Sequence, residues 1–256
     1  MKTGLQLNTA LNVFCDASVT KTGETYTSCP GYAVVNKGRI IKSDYKVVYN
    51  TTNNYGEIYA IRMGIKAVYD MGYKLGTVSR INLFSDSQIS ILGLREWIFK
   101  WYKNLNSDMQ MMSIEKKVEI SNQEVYNSIV NLIAYEGIPI HLYHQLGHKN
   151  YRNNTHLNKV INSFNLVNKI RLSIDEARFI CYYNEFVDRF TRDNLHNVTR
   201  SNLFKQTDYQ KYIIPVSIIL NDDIMRRYAD LIYCKQAFDQ VNTSYNNNFY
   251  YRYKNA

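Results

Sequence analysis

Four cysteines are all the chain has, Cys15, Cys29, Cys181 and Cys234, and no two stand in Cys-x-x-Cys spacing. Their mostly apolar surroundings mark them as reduced core residues, not bridges or zinc ligands, which suits a cytoplasmic setting. No apolar run is long enough to span a bilayer, and no charged segment leads into an apolar stretch at the start. The expectation is a soluble, intracellular monomer with no membrane partner. No internal repeat shows. Proline is scarce, at 3 residues, beside 23 tyrosines and much asparagine. Nucleotide bias in the gene accounts for that balance as readily as an aromatic binding surface does, and the Tyr-rich tail is not read as a stacking platform.

What is present is ordinary for a folded domain. The 256 residues are 45% hydrophobic and 21% charged, enough to bury a full core. The formal net charge is +9 with a pI near 9.2, which favours an acidic partner, most commonly nucleic acid.

Residues 1–10 read as a disordered lead-in and residues 11–15 as a buried strand ending at Asp16. Residues 20–30 are polar, with Gly23, Ser28 and Pro30, and predict a loop. Two β-branched runs, 31–36 and 39–48, flank the turn Lys37-Gly38 and predict a hairpin. Ile58, Ile61, Ile65, Val68 and Met71 recur at helical spacing, with Gly72 as the stop and Glu57 in the first turn. A strand over 78–84 leads through Ser85-Asp86-Ser87 into a helix reaching about Lys103. A loop fills 104–117. Ser121-x-x-Glu124 and Ser173-x-x-Glu176 are capping-box patterns that predict helices beginning there. Residues 138–146 predict a strand leaving through Gly147-His148, and a helical stripe runs from Leu157 to Ile170. A last helix is predicted over 221–240, then a flexible tail from Asn242. Three meander strands followed by two helix-linked strands make an α/β fold: a mixed five-stranded sheet, part antiparallel and part parallel, flanked by helices.

Four acids fall where such a sheet could gather them: Asp16 and Asp86 at strand ends, Glu57 and Asp188 on helices. Neighbouring carboxylates repel, and burying their charge is costly unless a cation neutralises it. Hard divalent ions take oxygen ligands, and a pair of them serves phosphodiester displacement. His141, His144 and His156 lack a ligand spacing on one face and are read as structural.

The residues around the acids carry a resemblance. Val13-Phe14-Cys15-Asp16-Ala17-Ser18, Thr51-Thr52-Asn53-Asn54-Tyr55-Gly56-Glu57, Asp86-Ser87-Gln88, Leu146-Gly147-His148 and Asn184-Glu185-Phe186-Val187-Asp188 follow the order seen in type 1 ribonuclease H. Trp97 and Trp101 fall after Asp86 at a similar spacing, and Pro30-Gly31-Tyr32-Ala33 is similar to the family's approach to its second strand. The likeness covers about residues 10–195. It implies the ribonuclease H-like fold and a metal-dependent endoribonuclease that cuts the RNA strand of RNA–DNA hybrids. The family uses two Mg²⁺ ions, with Mn²⁺ as a substitute. Asp16, Glu57, Asp86 and Asp188 match its metal-binding acids, and His148 its mobile-loop histidine. Asn53, Asn54 and Gln88 match residues reading the hybrid's minor groove. Thr52 and Trp97 match the DNA-strand channel, and Asn184 the asparagine opening the last motif.

Departures are a helical insertion at 149–172, a weakly basic region after the tryptophans, and residues beyond about 200. The division expected is therefore a nuclease domain over 11–200 and a helical extension with a flexible tail over 201–256. Two rivals keep the fold: a resolvase-like nuclease acting on DNA, and a catalytically silent nucleic-acid-binding module. Asn53, Asn54 and Gln88 argue against the first, and the full set of four acids against the second.

Overall fold

Strand, not loop, occupies the described part of the stretch predicted as a loop. In the computed structural model, which describes residues 5–22, 25–73, 81–200 and 220–232, β1 (Leu11–Thr22) pairs with β2 (Thr25–Asn36) out to Thr22 opposite Thr25. Thr20, Thr25 and Thr27 are β-branched and fit a pleated surface although they are polar, so polarity misled the loop prediction. Asp16 therefore lies within β1, not at its end. Pro30 and Gly31 likewise sit inside β2.

The hairpin at Lys37-Gly38 forms as predicted, with both residues at positive φ (49° and 71°). It leads into β3 (Arg39–Tyr45). The predicted run to Val48 divides there, because β4 (Val48–Tyr49) pairs with β2 separately, at Thr27 and Ser28. Strands β5 (Ile81–Ser85) and β6 (Ile140–His144) join in parallel, giving the order β3-β2-β1-β5-β6 with β4 on β2. The mixed sheet thus has the predicted meander and parallel pair, plus one short strand.

Residues 5–10 are not a disordered lead-in. Leu5, Leu7 and Ala10 are buried, and the buried Asn82 amide donates to the Leu5 carbonyl (3.0 Å) and to Asn12 Oδ1 (2.9 Å). Asn12 in turn donates to the Leu7 carbonyl at 2.8 Å. Residues 1–4, the strand start at Val78, Cys234 and the tail from Asn242 lie outside the described residues.

Helices cover both faces, as strand alternation requires. Leu11, Val13 and Cys15 belong to one core with α1 (Asn53–Asp70), α4 (Gln123–Glu136) and α7 (Asp222–Leu231). Phe14, stacked on Phe84 at 4.9 Å, faces the other core with α5 (Asn154–Asn168) and α6 (Ile174–Arg200). The helix predicted after Asp86 is α2 (Gln88–Leu92), a π-helical turn (Gly93–Trp97) and α3 (Ile98–Tyr102) in succession. Gly93 allows the close approach of Tyr126, which a Cβ there would strike.

The two capping boxes diverge. At α6, Ser173 N–H donates to Glu176 Oε2 (2.8 Å) and Glu176 N–H to Ser173 Oγ (3.2 Å). At α4 the box does not form: Asn122 is the cap, left-handed at φ 60° and with no side-chain capping bond. In the extension, α7 seats Tyr228 fully buried, its hydroxyl donating to the Leu94 carbonyl at 2.9 Å.

Candidate metal centre

Asp16 stands one residue beyond Cys15, the last residue of β1 paired with β5, and Asp86 one beyond Ser85, its partner. Parallel pairing brings both strands to the same edge together, so the acids meet where the sheet opens. Glu57 arrives on α1, one turn past the first-turn position expected, because the helix begins at Asn53 with Thr52 as its cap. Gly56 makes that approach possible: a Cβ there would collide with Ser28 Oγ and touch Ala17 Cβ at 3.0 Å. On the far side Gly147 plays the same part, since a Cβ would strike Asp86 Oδ2.

Asp16, Glu57 and Asp86 each offer an oxygen within 4.8 Å of the others'. Asp16 and Glu57 are buried and Asp86 half-buried. Burial pushes the Asp16 carboxyl well up from its ordinary range, helped by the charges of Asp86 and Asp188. Glu57 is raised by burial and then by Asp16 and Asp86. Asp86 is raised by burial, with His148 pulling the other way. Ala17 N–H donates to Asp16 Oδ1 at 2.7 Å, whereas Glu57 Oε2 is buried with no hydrogen-bond partner. A crowded all-oxygen set with an orphaned buried oxygen fits a hard divalent cation.

Asp188 stands beside this trio without joining it. Arg192 Nη1 bonds both its oxygens (3.2 and 3.4 Å), and His148 Nδ1 lies 3.9 Å from Oδ2. The surface pairing with Arg192 and the approach to the site therefore coexist. His148 is exposed, at φ 51°, and its closeness to Asp188 means that the segment expected as an insertion, 149–172, does not carry it away from that acid.

Thr52, Asn53, Asn54 and Gln88 are exposed, on the first turns of the helices that deliver Glu57 and follow Asp86. Asn184 is buried, one turn before Asp188, with Oδ1 unpartnered. Trp97 is not drawn to the acids by any observed contact; it is half-buried with its ring centroid 5.9 Å from that of Trp101.

Sequence reasoning missed the residues behind Asp86. His144, read as structural, places Nε2 at 3.2 Å from the Asp86 carbonyl oxygen. Burial lowers its pKa from the ordinary value, against the pull of the hydrogen bond to the Asp86 carbonyl. Asn168 and Arg95 join it, and no sequence spacing links residues that far apart.

The RNase H family model matches residues 8–163, more than half of the chain, and ends within α5 before Asn184 and Asp188. Among curated proteins none matches. Similar solved structures include RNase H1 of the halophilic archaeon Halobacterium salinarum NRC-1, at 15% identity over 60% of this chain and 93% of that one (TM-score 0.37). LC11-RNase H1 in complex with RNA/DNA hybrid is 17% identical over 60% and 97% (TM-score 0.41). The foamy viral protease-reverse transcriptase in complex with RNA/DNA hybrid is 14% identical over 64% and 20% (TM-score 0.44).

Proposed function

The chain belongs to the RNase H family, and from that premise we propose that it is a divalent-metal-dependent endonuclease hydrolysing the RNA strand of RNA–DNA hybrids. The observation that carries the reading is the trio Asp16, Glu57 and Asp86, its oxygens within 4.8 Å and Glu57 Oε2 unpartnered. Asp188 is the fourth acid of the set. Two Mg²⁺ ions, when bound, supply charge neutralisation, activation of water and stabilisation of the leaving 3′-oxygen, with Mn²⁺ as a substitute.

The chain's own groups do the rest. Ala17 N–H fixes the orientation of Asp16 Oδ1. Asn53, Asn54 and Gln88 offer amides to a hybrid laid across the site, where RNA 2′-hydroxyls distinguish it from DNA. Thr52 and Trp97 border the DNA strand's path, and Asn184, expected to contact nucleic acid, is buried one turn before Asp188. His148, exposed beside Asp188, moves a proton and assists product release, work suited to an imidazole. The products carry 5′-phosphate and 3′-hydroxyl ends.

The decisive assay offers matched RNA–DNA hybrid, double-stranded RNA and double-stranded DNA with Mg²⁺ or Mn²⁺. Cleavage of the hybrid alone is expected, and its loss in Asp86→Asn. Cutting of DNA would point to the resolvase-like reading, and binding without cutting to a silent module.

A further inference from the structure

Strand β6 lies at the end of the sheet, with β5 on one side and no strand on the other among the described residues. At its last residue, His144, a side chain closes that open edge. Asn168, the last residue of α5, donates through Nδ2 to the His144 carbonyl at 2.7 Å. Its Oδ1 accepts the His144 N–H at 3.2 Å. One primary amide thus supplies the donor and acceptor that a neighbouring strand would supply. Arg95, buried on the π-helical turn, donates Nη1 to the same Oδ1 at 2.8 Å. A guanidinium only donates, so this bond fixes which end of the amide is oxygen.

From His144 the contacts turn towards the acids. Its Nε2 lies 3.2 Å from the Asp86 carbonyl oxygen, which can only accept, so Nε2 carries the proton. Asp86 needs such support. It follows Ser85, where pairing with both β1 and β6 ends, so its own backbone has left the sheet. The exit of β6 wraps around it: Gln145 N–H donates to the Ser85 carbonyl at 3.0 Å, and Gly147 lies against the Asp86 carboxylate.

We propose that His144 is a positioning residue for Asp86, and that Asn168 at the end of α5, held by Arg95 of the π-helical turn, is the brace that fixes it. The segment expected as an insertion then serves the metal centre through His144, without supplying a ligand of its own. Groups that orient a ligand govern how tightly a site holds its ion, and losing one typically costs 10–100-fold in metal affinity or activity. The proposal rests on the acids binding a divalent cation.

The test compares wild type with Asn168→Asp, His144→Ala and His144→Gln. Asn168→Asp keeps the shape and the acceptor for Arg95 but loses the donor to His144. Amide hydrogen exchange is followed on metal-free protein, Mn²⁺ binding by electron paramagnetic resonance, and kcat and KM on hybrid. His144→Ala and Asn168→Asp should speed exchange at Gln145 and weaken Mn²⁺ binding by about tenfold. They should lower kcat with KM unchanged. His144→Gln, whose amide nitrogen can stand where Nε2 stood, should recover most of the loss. Folded His144→Ala and Asn168→Asp proteins with wild-type exchange at Gln145 and wild-type Mn²⁺ affinity overturn the brace. If that happens while wild type cleaves hybrid, the activity stands alone. If the variants weaken Mn²⁺ binding but wild type cleaves nothing, the brace stands and the activity falls.

Discussion

Three carboxyl groups crowded at one sheet edge repel one another, and burial removes the water that would screen them. Asp16, Glu57 and Asp86 therefore have folded pKa values above their unfolded ones in the metal-free protein. Groups of that kind hold protons more tightly when folded. They favour folding below the ordinary carboxylate range, and that contribution is lost as pH rises through the folded values. In a chelator, the thermal midpoint should fall as pH is raised from acid to neutral, and Mg²⁺ should restore it by binding the folded state alone. A flat profile would sink this account. Asp86→Asn removes one repelling charge, so it should stabilise the metal-free protein at neutral pH by on the order of 1 kcal/mol while abolishing cleavage. Denaturant melts beside the hybrid assay test both halves. His148→Ala should lower the single-turnover rate by roughly 10²-fold with hybrid affinity unchanged, if the ring moves a proton. An unaltered rate would leave it a bystander.

Among the elements, identical sequence signatures met different fates. Ser121-x-x-Glu124 and Ser173-x-x-Glu176 read alike, yet only the second closes a reciprocal cap. Near α4 the Gln123 side chain accepts the Met111 N–H at 2.7 Å, tying the helix start to the preceding loop, and the cap falls to Asn122. Ser173→Ala should therefore cost about 1 kcal/mol in denaturant unfolding. Ser121→Ala should cost much less, because it removes no cap. Equal losses would contradict the geometry. Strand length followed the same logic of context: threonines that looked like loop formed the far end of the β1–β2 hairpin once each had a partner across the pair.

For the molecule as a whole, the sheet is sandwiched, and α7, beyond the division expected at residue 200, packs into one of its two cores. Its Ile224, Met225 and Tyr228, with Leu220 just before it, share the core of α1 and α4, and Tyr102 hydroxyl donates to Asp222 Oδ1 at 3.0 Å. We propose that α7 is an integral part of the nuclease domain. Tyr228→Ala should cost about 3–5 kcal/mol, as removal of a large, fully buried ring does. Unfolding of wild type followed by two probes should show one cooperative transition. Two separable transitions, or a neutral Tyr228→Ala, would restore the extension to an independent unit.

Local chemistry made much of this legible. Hydrophobic period separated strands from helices, Lys37-Gly38 announced its turn, and Asn221 marked the start of α7. The acids Asp16, Glu57 and Asp86, with motif residues about them, could be chosen from the chain because each sits in a short, local pattern. What the sequence could not hold is any relation with a long loop between its members. Only the packed sheet brought Asp86 under His144, set Asn168 across the open edge of β6, and aimed Arg95 at the same amide oxygen. It also decided that Asp16 lies within a strand and meets Asp86 only because β1 and β5 stop pairing at the same level. Periodicity is written residue by residue, whereas register and the meeting of distant side chains exist only once the core has closed.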